Sequence, residues 1–331
     1  MICQHNPYKQ GEQGGLENRM HHPRHLAEFA ALKFLSNLVN VLPQSAALKL
    51  GSVVAPVGFQ IGRNRRLAAE QRIRQVFRDL SEVDATRIAR QSYRDLVWHL
   101  IEILRTPKVT RKWVEQNTLI DQDDRRRLDG AVALDRGCIL AVPHLANWDL
   151  AGIALEQLGY PMTFIYRNQK NPLFNRHLNA MRRHIGSETI ERDDPMLFRK
   201  TIRSLRKGNI IAILVDLRSR QNDLKVPFLG HTADLARGLG LMAHVAGCPV
   251  LPAYTTRPAG GRLQLHFKAS IMPNRKMDRN ADAERIMRAT IPPLEAAIRA
   301  NPEQYFWFNK RWVLEPIDNQ SADGITAGRA Y

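Results

Sequence analysis

The sequence predicts an α/β fold. It should have a central, mostly parallel or mixed sheet with helices on both faces, preceded by an N-terminal helical, membrane-associating region. Three observations carry this reading. From about Leu119 onward, short β-rich runs alternate with helical segments, the pattern of a helix-covered sheet. Residues 210–215 are apolar and uncharged, as a strand buried on both faces must be. The first third, by contrast, shows only helical periodicity. The expected organisation is a disordered N-terminus (1–25), a helical membrane-associating region (26–115), an α/β domain (116–316) and a flexible tail (317–331).

Residues 1–25 are polar, rich in Gln, Gly and His, and lack the charged-then-apolar order of a secretory leader. The grouping of His21, His22 and His25 is read as incidental rather than as a metal site. In residues 28–42, Phe29, Leu32, Leu35, Leu38, Val39 and Leu42 fall at helical spacing, and Pro43 ends the run. Residues 45–61 are again apolar, and from Phe34 to Gly62 the sole charge is Lys49. That is enough for the roughly 20 residues a bilayer crossing needs. Pro43, Pro56 and Lys49 argue against a straight transmembrane helix. Arg63, Arg65 and Arg66 follow at once, as on the cytoplasmic side of a membrane segment. A kinked anchor, an interfacial helix pair and a soluble helical hairpin all fit this pattern. Residues 67–80 and 83–104 read as amphipathic helices, the second capped by Ser81, and Thr106-Pro107 closes the region.

In the α/β part, residues 121–136 read as a charged helix, 138–142 as a strand and 149–158 as a helix. A strand at 161–166, helices at 172–185 and 195–207, and the central strand at 210–215 follow. Residues 226–229 are short and extended, 234–246 helical, and 250–255 and 263–267 strands. The long helix at 281–300 should kink or break at Pro292-Pro293. Cys3, Cys138 and Cys248 form no metal pattern and no even disulfide set; Cys138 and Cys248 should be buried free thiols. The 49 Lys and Arg against 32 acidic residues give a net charge of +17, a surface that attracts nucleic acid, acidic proteins or anionic lipid.

In α/β sheets, ligands collect outside the carboxyl ends of the strands. His144, Arg167 and Asp216 each follow a predicted strand by one or two residues, which puts them along one edge. His144 and Asp149 straddle a loop that ends at Asn147, a good helix N-cap. Five apart on a continuous helix they would not meet, but the loop lets the carboxylate swing back onto the imidazole. Such a pair would hold one tautomer and leave the other ring nitrogen to take a proton from a hydroxyl. The plainer alternative is that His144 caps a strand and Asp149 favours a helix N-terminus. Arg167, in Tyr166-Arg167-Asn168-Gln169-Lys170-Asn171-Pro172, suits a carbonyl oxyanion or a phosphate, or belongs to a solvated turn. Asp216 either pairs with Arg218 or lines the site, and its strand-end position favours the site. Arg182, Arg183, Arg199, Lys200, Arg203, Arg206 and Lys207, on two helices, add a positive field. A Gly-x-Ser-x-Gly elbow, a phosphate loop, a dinucleotide fingerprint and a His-Glu-x-x-His helix are all absent from the sequence. A basic chain with a His–Asp pair and no obvious protein nucleophile suits direct transfer of a group to a substrate hydroxyl, with His144 as general base.

Val142-Pro143-His144-Leu145-Ala146-Asn147-Trp148-Asp149 resembles the signature of the bacterial lipid A late acyltransferases, the lauroyl and myristoyl transferases of lipopolysaccharide biosynthesis. Three further blocks agree in order. They are Tyr166-Arg167-Asn168 with Asn171-Pro172, Asp216 through Val226-Pro227-Phe228-Leu229-Gly230, and Pro302-Glu303-Gln304-Tyr305-Phe306-Trp307 with Lys310-Arg311. The resemblance implies an acyl carrier protein thioester as donor and co-substrate, with no cofactor and no metal. It implies a lipid A precursor hydroxyl as acceptor, a membrane-surface partner and an anionic glycolipid. It places the protein at the inner membrane with its catalytic domain on the cytoplasmic face; no nucleic-acid partner is expected. It makes His144 the general base, Asp149 its orienting partner and Arg167 the neighbour of the acyl carbonyl. Asn147, Asp216, Arg218 and Arg311 are the expected substrate-binding residues. Leu235 and Arg72 depart from the family pattern, where Thr and Asn are expected, and leave the acceptor open to other lipids: lysophosphatidate, mannosylated phosphoinositides or ornithine-type lipids. The wider glycerolipid acyltransferases share the His-x-x-x-x-Asp pair but usually carry Asn before the His, where this chain has Pro143. A non-catalytic protein binding anionic membrane or nucleic acid would explain the charge but not the aligned strand-end residues.

Overall fold

The structure, a computed structural model, describes residues 22–169, 171–185, 188–219, 223–258 and 261–314. Most of the expected disordered N-terminus, the tail at 317–331, Cys3, His21, Lys170, Arg220 and the side chains of Arg182 and Arg183 lie outside the described residues.

The chain begins with α1 (Pro23–Val41), α2 (Gln44–Ile61), α3 (Arg63–Val76) and α4 (Glu82–Leu104). Helix α1 starts inside the segment expected to be disordered. Pro23 is pre-set for a first turn, and the His22 ring accepts a hydrogen bond from the Arg24 N–H. Ser81 caps α4 as its sequence predicts, accepting from the Asp84 N–H at 3.1 Å. Helix α2 runs through Pro56 without a break. Its Ala47, Gly51, Ala55 and Phe59, spaced four apart, are buried. A Cβ on Gly51 would stand 2.6 Å from the Ile101 side chain, so glycine alone allows α2 and α4 to approach this closely. Outward-facing are Val53, Val54, Val57 and Ile61 of α2, with Phe34, Leu38 and Val41 of α1, at 38% to 82% exposure. Among the described residues no helix is long and apolar enough to cross a membrane.

Next come α5 (Arg111–Asn117), β1 (Thr118–Ile120), α6 (Gln122–Val132), β2 (Cys138–Val142), α7 (Trp148–Gln157), β3 (Met162–Tyr166), α8 (Pro172–Ile185) and β4 (Glu188–Glu191). The chain continues through α9 (Leu197–Arg206), β5 (Ile210–Leu214), β6 (Leu224–Phe228), β7 (His231–Leu235), α10 (Gly238–Ala246), β8 (Val250–Thr256), β9 (Leu263–Phe267) and α11 (Arg279–Ala300). The sheet order is β1-β9-β8-β2-β5-β3-β4, parallel throughout except for the antiparallel β8–β9 pair, so the expected α/β fold has a mixed sheet. Strand β2 alternates its side chains between two cores. Ile139 and Ala141 join α3, α4, α10, α11 and the C-terminal aromatic block. Cys138 and Leu140 join α5, α6 and α7. The first of these cores ties the N-terminal helices to the sheet, so residues 63–104 pack as part of the α/β body. Burial raises the thiol pKa of Cys138, and brings that of Cys248 to about 12, so both are inert interior groups.

Two expected elements come out differently. The predicted helix at 234–246 begins only at Gly238, because residues 231–235 pair as β7 with β6. The hairpin turns on Leu229 (φ 53°) and Gly230 (φ 78°), both left-handed, which is the two-residue geometry that matches strand twist. Leu229 hides that turn in the sequence. Helix α11 runs unbroken through Pro292 and Pro293. Ile286, Met287, Ile291, Leu294, Ala297 and Ile298 are buried on both sides of the prolines. Burial of six such side chains, about 1.5–3 kcal/mol for each large one, exceeds the roughly 3 kcal/mol that a proline costs a helix interior.

Candidate active site

Strands β2, β5 and β3 are adjacent and parallel, so the residues that follow their carboxyl ends share one edge. His144 follows β2, Asp216 follows β5 and Arg167 follows β3, as the strand spacing predicts. Asn147 caps α7, accepting from the Leu150 N–H at 3.0 Å. The reversal between strand and helix passes through Ala146 at φ 50°, a left-handed conformation unusual for a residue other than glycine. It is held from the C-terminal block: the Ala146 N–H donates to the Gln304 carbonyl at 2.9 Å and the Phe306 N–H to the His144 carbonyl at 2.9 Å. Thr255 Oγ1 donates to the Leu145 carbonyl, also at 2.9 Å.

The carboxylate on the His144 ring is that of Asp216, not Asp149 as the loop argument expected. Nδ1 of His144 donates to Asp216 Oδ1 at 2.7 Å, and the His144 backbone N–H donates to Oδ2 at 2.8 Å. The Tyr305 hydroxyl donates to the same carboxylate. Burial works against charge on Asp216, but the His144 imidazole, its two hydrogen bonds and the Tyr305 hydroxyl outweigh it and hold the carboxyl below its usual range. Burial, together with the charge and hydrogen bond of Asp216, pushes the Tyr305 hydroxyl well above its ordinary value. Asp216 therefore pairs with His144 and not with Arg218. Five residues of α/β loop were too short a signal to choose between two carboxylates, one near in sequence and one 72 residues away.

Asp149 accepts from Nε2 of His99, a residue of α4, at 3.0 Å. With Arg167 it lines a cleft of about 290 Å³, whose mostly apolar walls include Ile103, Ile153, Phe164, Ile165 and Leu178, with Thr106, Tyr166 and Gln169 beside them. Arg167 is exposed and lies 3.6 Å from Asp193. Arg218 bridges Leu235 through its backbone, and its carbonyl accepts from the Arg311 guanidinium. The Arg218 backbone and the Arg311 guanidinium thus brace the chain that follows Asp216. Arg72, the departure from the family pattern, is buried and donates to the carbonyls of Trp307 (2.7 Å) and Asn309 (2.8 Å), so it anchors the C-terminal block. Helix α9 runs away from the carboxyl edge, so Arg203, Arg206 and Lys207 lie toward the opposite edge of the sheet, and Arg206 donates to the Val245 carbonyl.

Residues that sequence reading passed over hold this site together. Glu102 of α4, 4% exposed, accepts from Arg257 at 2.7 and 2.8 Å and from Asn147 Nδ2 at 2.7 Å. Ser92 of the same helix donates to the Tyr305 carbonyl at 2.6 Å. The signal was present: Ser92, His99 and Glu102 recur at helical spacing on a face that also buries Ile88 and Ala89. Replacing Glu102 with Ala leaves the Arg257 guanidinium buried without its carboxylate. The variant should lose about 3–5 kcal/mol of folding stability, read by urea denaturation; a loss within 0.5 kcal/mol, the size of an ordinary surface substitution, would contradict the network.

The comparisons with known proteins give the class, that of the acyltransferases. The chain belongs to the bacterial lipid A biosynthesis acyltransferase family, whose model matches residues 15–313. A lipid A biosynthesis acyltransferase of Haemophilus influenzae is 27% identical over 184 residues, 54% of this chain and 55% of that protein. A phosphatidylinositol mannoside acyltransferase of Mycolicibacterium smegmatis is 24% identical over 214 residues, 63% and 66% of the two chains. A lipid A biosynthesis palmitoleoyltransferase of Escherichia coli is 22% identical over 306 residues, 91% and 95%. The match to the first of these spans little more than half of that relative's length.

Proposed function

We propose that this protein transfers a fatty acyl chain from an acyl carrier protein thioester to a hydroxyl of a lipid A precursor. The observation that carries the reading is His144 at a sheet's carboxyl edge, with Nδ1 bound to a buried carboxylate, in a chain of this family. Asp216 fixes the proton on Nδ1, which leaves the lone pair of Nε2 to take the proton of the acceptor hydroxyl. The hydroxyl oxygen bonds to the thioester carbonyl carbon, and Arg167 stabilises the tetrahedral oxyanion. Collapse breaks the carbon–sulfur bond, and the departing thiolate takes the proton back from the imidazolium. The apolar cleft holds the acyl chain, and Asp149 at its wall accepts a hydrogen bond from the acceptor. Asn147, Arg218 and Arg311 support this arrangement by shaping the loops around it.

The outward apolar faces of α1 and α2 sit in the bilayer interface without crossing it, and Arg63 and Arg65, exposed at the start of α3, meet anionic headgroups. Replacing Val53, Val57 and Ile61 together with Ser should weaken binding to phosphatidylglycerol vesicles roughly 100-fold. Unchanged co-sedimentation would rule the interface out.

The test of the reaction uses the full chain in detergent with dodecanoyl and tetradecanoyl thioesters of acyl carrier protein and of coenzyme A. Lipid A precursor, phosphatidylinositol mannoside and lysophosphatidate serve as acceptors, with mass spectrometry of the lipids. One added acyl chain on the lipid A precursor supports the reading. The relatives named phosphatidylinositol mannoside acyltransferases favour a second reading, in which a mannosylated phosphoinositide is the acceptor; acylation of that lipid alone would select it. Transfer to none of the three would overturn both.

A further inference from the structure

Four histidine–carboxylate pairs occur among the described residues, and one of them is built the other way round. In His144–Asp216, His244–Asp282 and His266–Asp124 the carboxylate is the buried member, 0% to 7% exposed at the side chain. In His99–Asp149 the imidazole is buried, at 6%, and the carboxylate is 50% exposed. A half-exposed carboxylate is satisfied by water and needs no buried partner. Burying an imidazole to hold it is unfavourable for stability, and the arrangement is understandable when the carboxylate must be kept in one place.

The surroundings say where that place is. Nε2 of His99 lies 3.0 Å from Asp149 Oδ2, and Nδ1 lies 3.5 Å from the Ala146 carbonyl. One ring thus faces both the reversal, at Ala146, and the first turn of α7, at Asp149. The His99 ring packs on Trp148 with centroids 4.3 Å apart, and the His144 ring packs on the same indole at 4.7 Å. Trp148 therefore touches both imidazoles, each with its own carboxylate. Asp149 lines the apolar cleft together with Arg167. A free aspartate at a helix N-terminus samples several rotamers, and a site that must orient a hydroxyl needs one.

We infer that His99 is the positioning residue of Asp149: it donates from Nε2 and locks the carboxylate at the cleft wall, where it receives the acceptor lipid. This rests on the acyltransferase reading above. Its consequence is specific. His99 should act on acceptor binding through Asp149, while the proton transfer at His144 is left to Asp216. His99→Phe keeps an aromatic ring against Trp148 and removes the donor. It should raise KM for the acceptor about 10- to 100-fold, the scale of one hydrogen bond to a charged group, with little change in kcat. His99→Gln returns an N–H donor and should recover most of that loss.

The measurement is steady-state transfer from dodecanoyl acyl carrier protein to whichever of the three acceptors the wild type acylates. Wild type, His144→Ala, Asp149→Asn, His99→Phe, His99→Gln and the double variant His99→Phe/Asp149→Asn are compared. The proposal predicts a raised KM in His99→Phe, its repair in His99→Gln, and no further loss when His99→Phe is added to Asp149→Asn. A merely structural His99 would lower kcat in both His99 variants and add its effect to that of Asp149→Asn. That outcome, or unchanged kinetics in His99→Phe, overturns the positioning role and leaves the acyltransferase reading intact. Absence of wild-type transfer, or full activity in His144→Ala, overturns that reading and the proposal with it.

Discussion

His144→Ala should lower kcat for acyl transfer about 100- to 10,000-fold, the range that a positioned general base supplies. The fold should survive, because the bonds that hold this loop are largely backbone bonds. The residue 144 N–H still donates to Asp216 Oδ2, and its carbonyl still accepts from the Phe306 N–H. What is lost is one of three donors to a buried carboxylate, about 1–3 kcal/mol of stability. His144→Asn separates the two effects. Its amide can stand where Nδ1 stands and donate to Asp216, but it offers no basic nitrogen. It should match wild type in urea denaturation and match His144→Ala in activity. Near-normal turnover in either variant would remove His144 from the reaction.

Asp216→Asn should cost about 100- to 10,000-fold in kcat with little change in KM, because it acts on the tautomer and charge of His144 rather than on substrate. Asparagine fits the space, but its amide oxygen carries no charge to stabilise an imidazolium. Its NH₂ group also presents a donor where Nδ1–H needs an acceptor. The same substitution should be visible in stability against pH. The Asp216 carboxyl is held below its ordinary value of 3.8 in the folded protein. A depressed carboxyl stabilises the fold above its unfolded pKa and loses that contribution as pH falls through the folded value. Asp216→Asn should therefore flatten the part of the acid limb that lies below about pH 3.8, with the difference from wild type largest near neutral pH. Wild-type kcat together with an unchanged acid limb would show that the His144–Asp216 pair is neither catalytic nor structural.

How far the sequence could be read depended on the range of the interaction. Strands 138–142 and 263–267 and helix 172–185 come out with their expected bounds, because each carries a local signal: an apolar run between Gly137 and Pro143, the alternation of Leu263, Leu265 and Phe267, and an amphipathic segment opened by Pro172. Strand β7 and the three-residue β1 were passed over, since both exist through pairing with a partner and carry little signal of their own. In the site, the order of strand ends brought His144, Asp216 and Arg167 to one edge without any contact being known. Which carboxylate meets which imidazole was a different matter.

The sequence by itself determined the α/β class, the strand-end origin of the site residues, the caps at Ser81 and Asn147, and the apolar character of the first helices. These follow from periodicity, propensity and capping, which act over a few residues. Only the tertiary structure decided that Asp216 rather than Asp149 binds His144, that α4 brings His99 and Glu102 to the same loops, and that α2 turns half of its apolar side chains away from the core. Those outcomes depend on pairs from 45 to 72 residues apart, whose distances are fixed by packing and not by spacing along the chain.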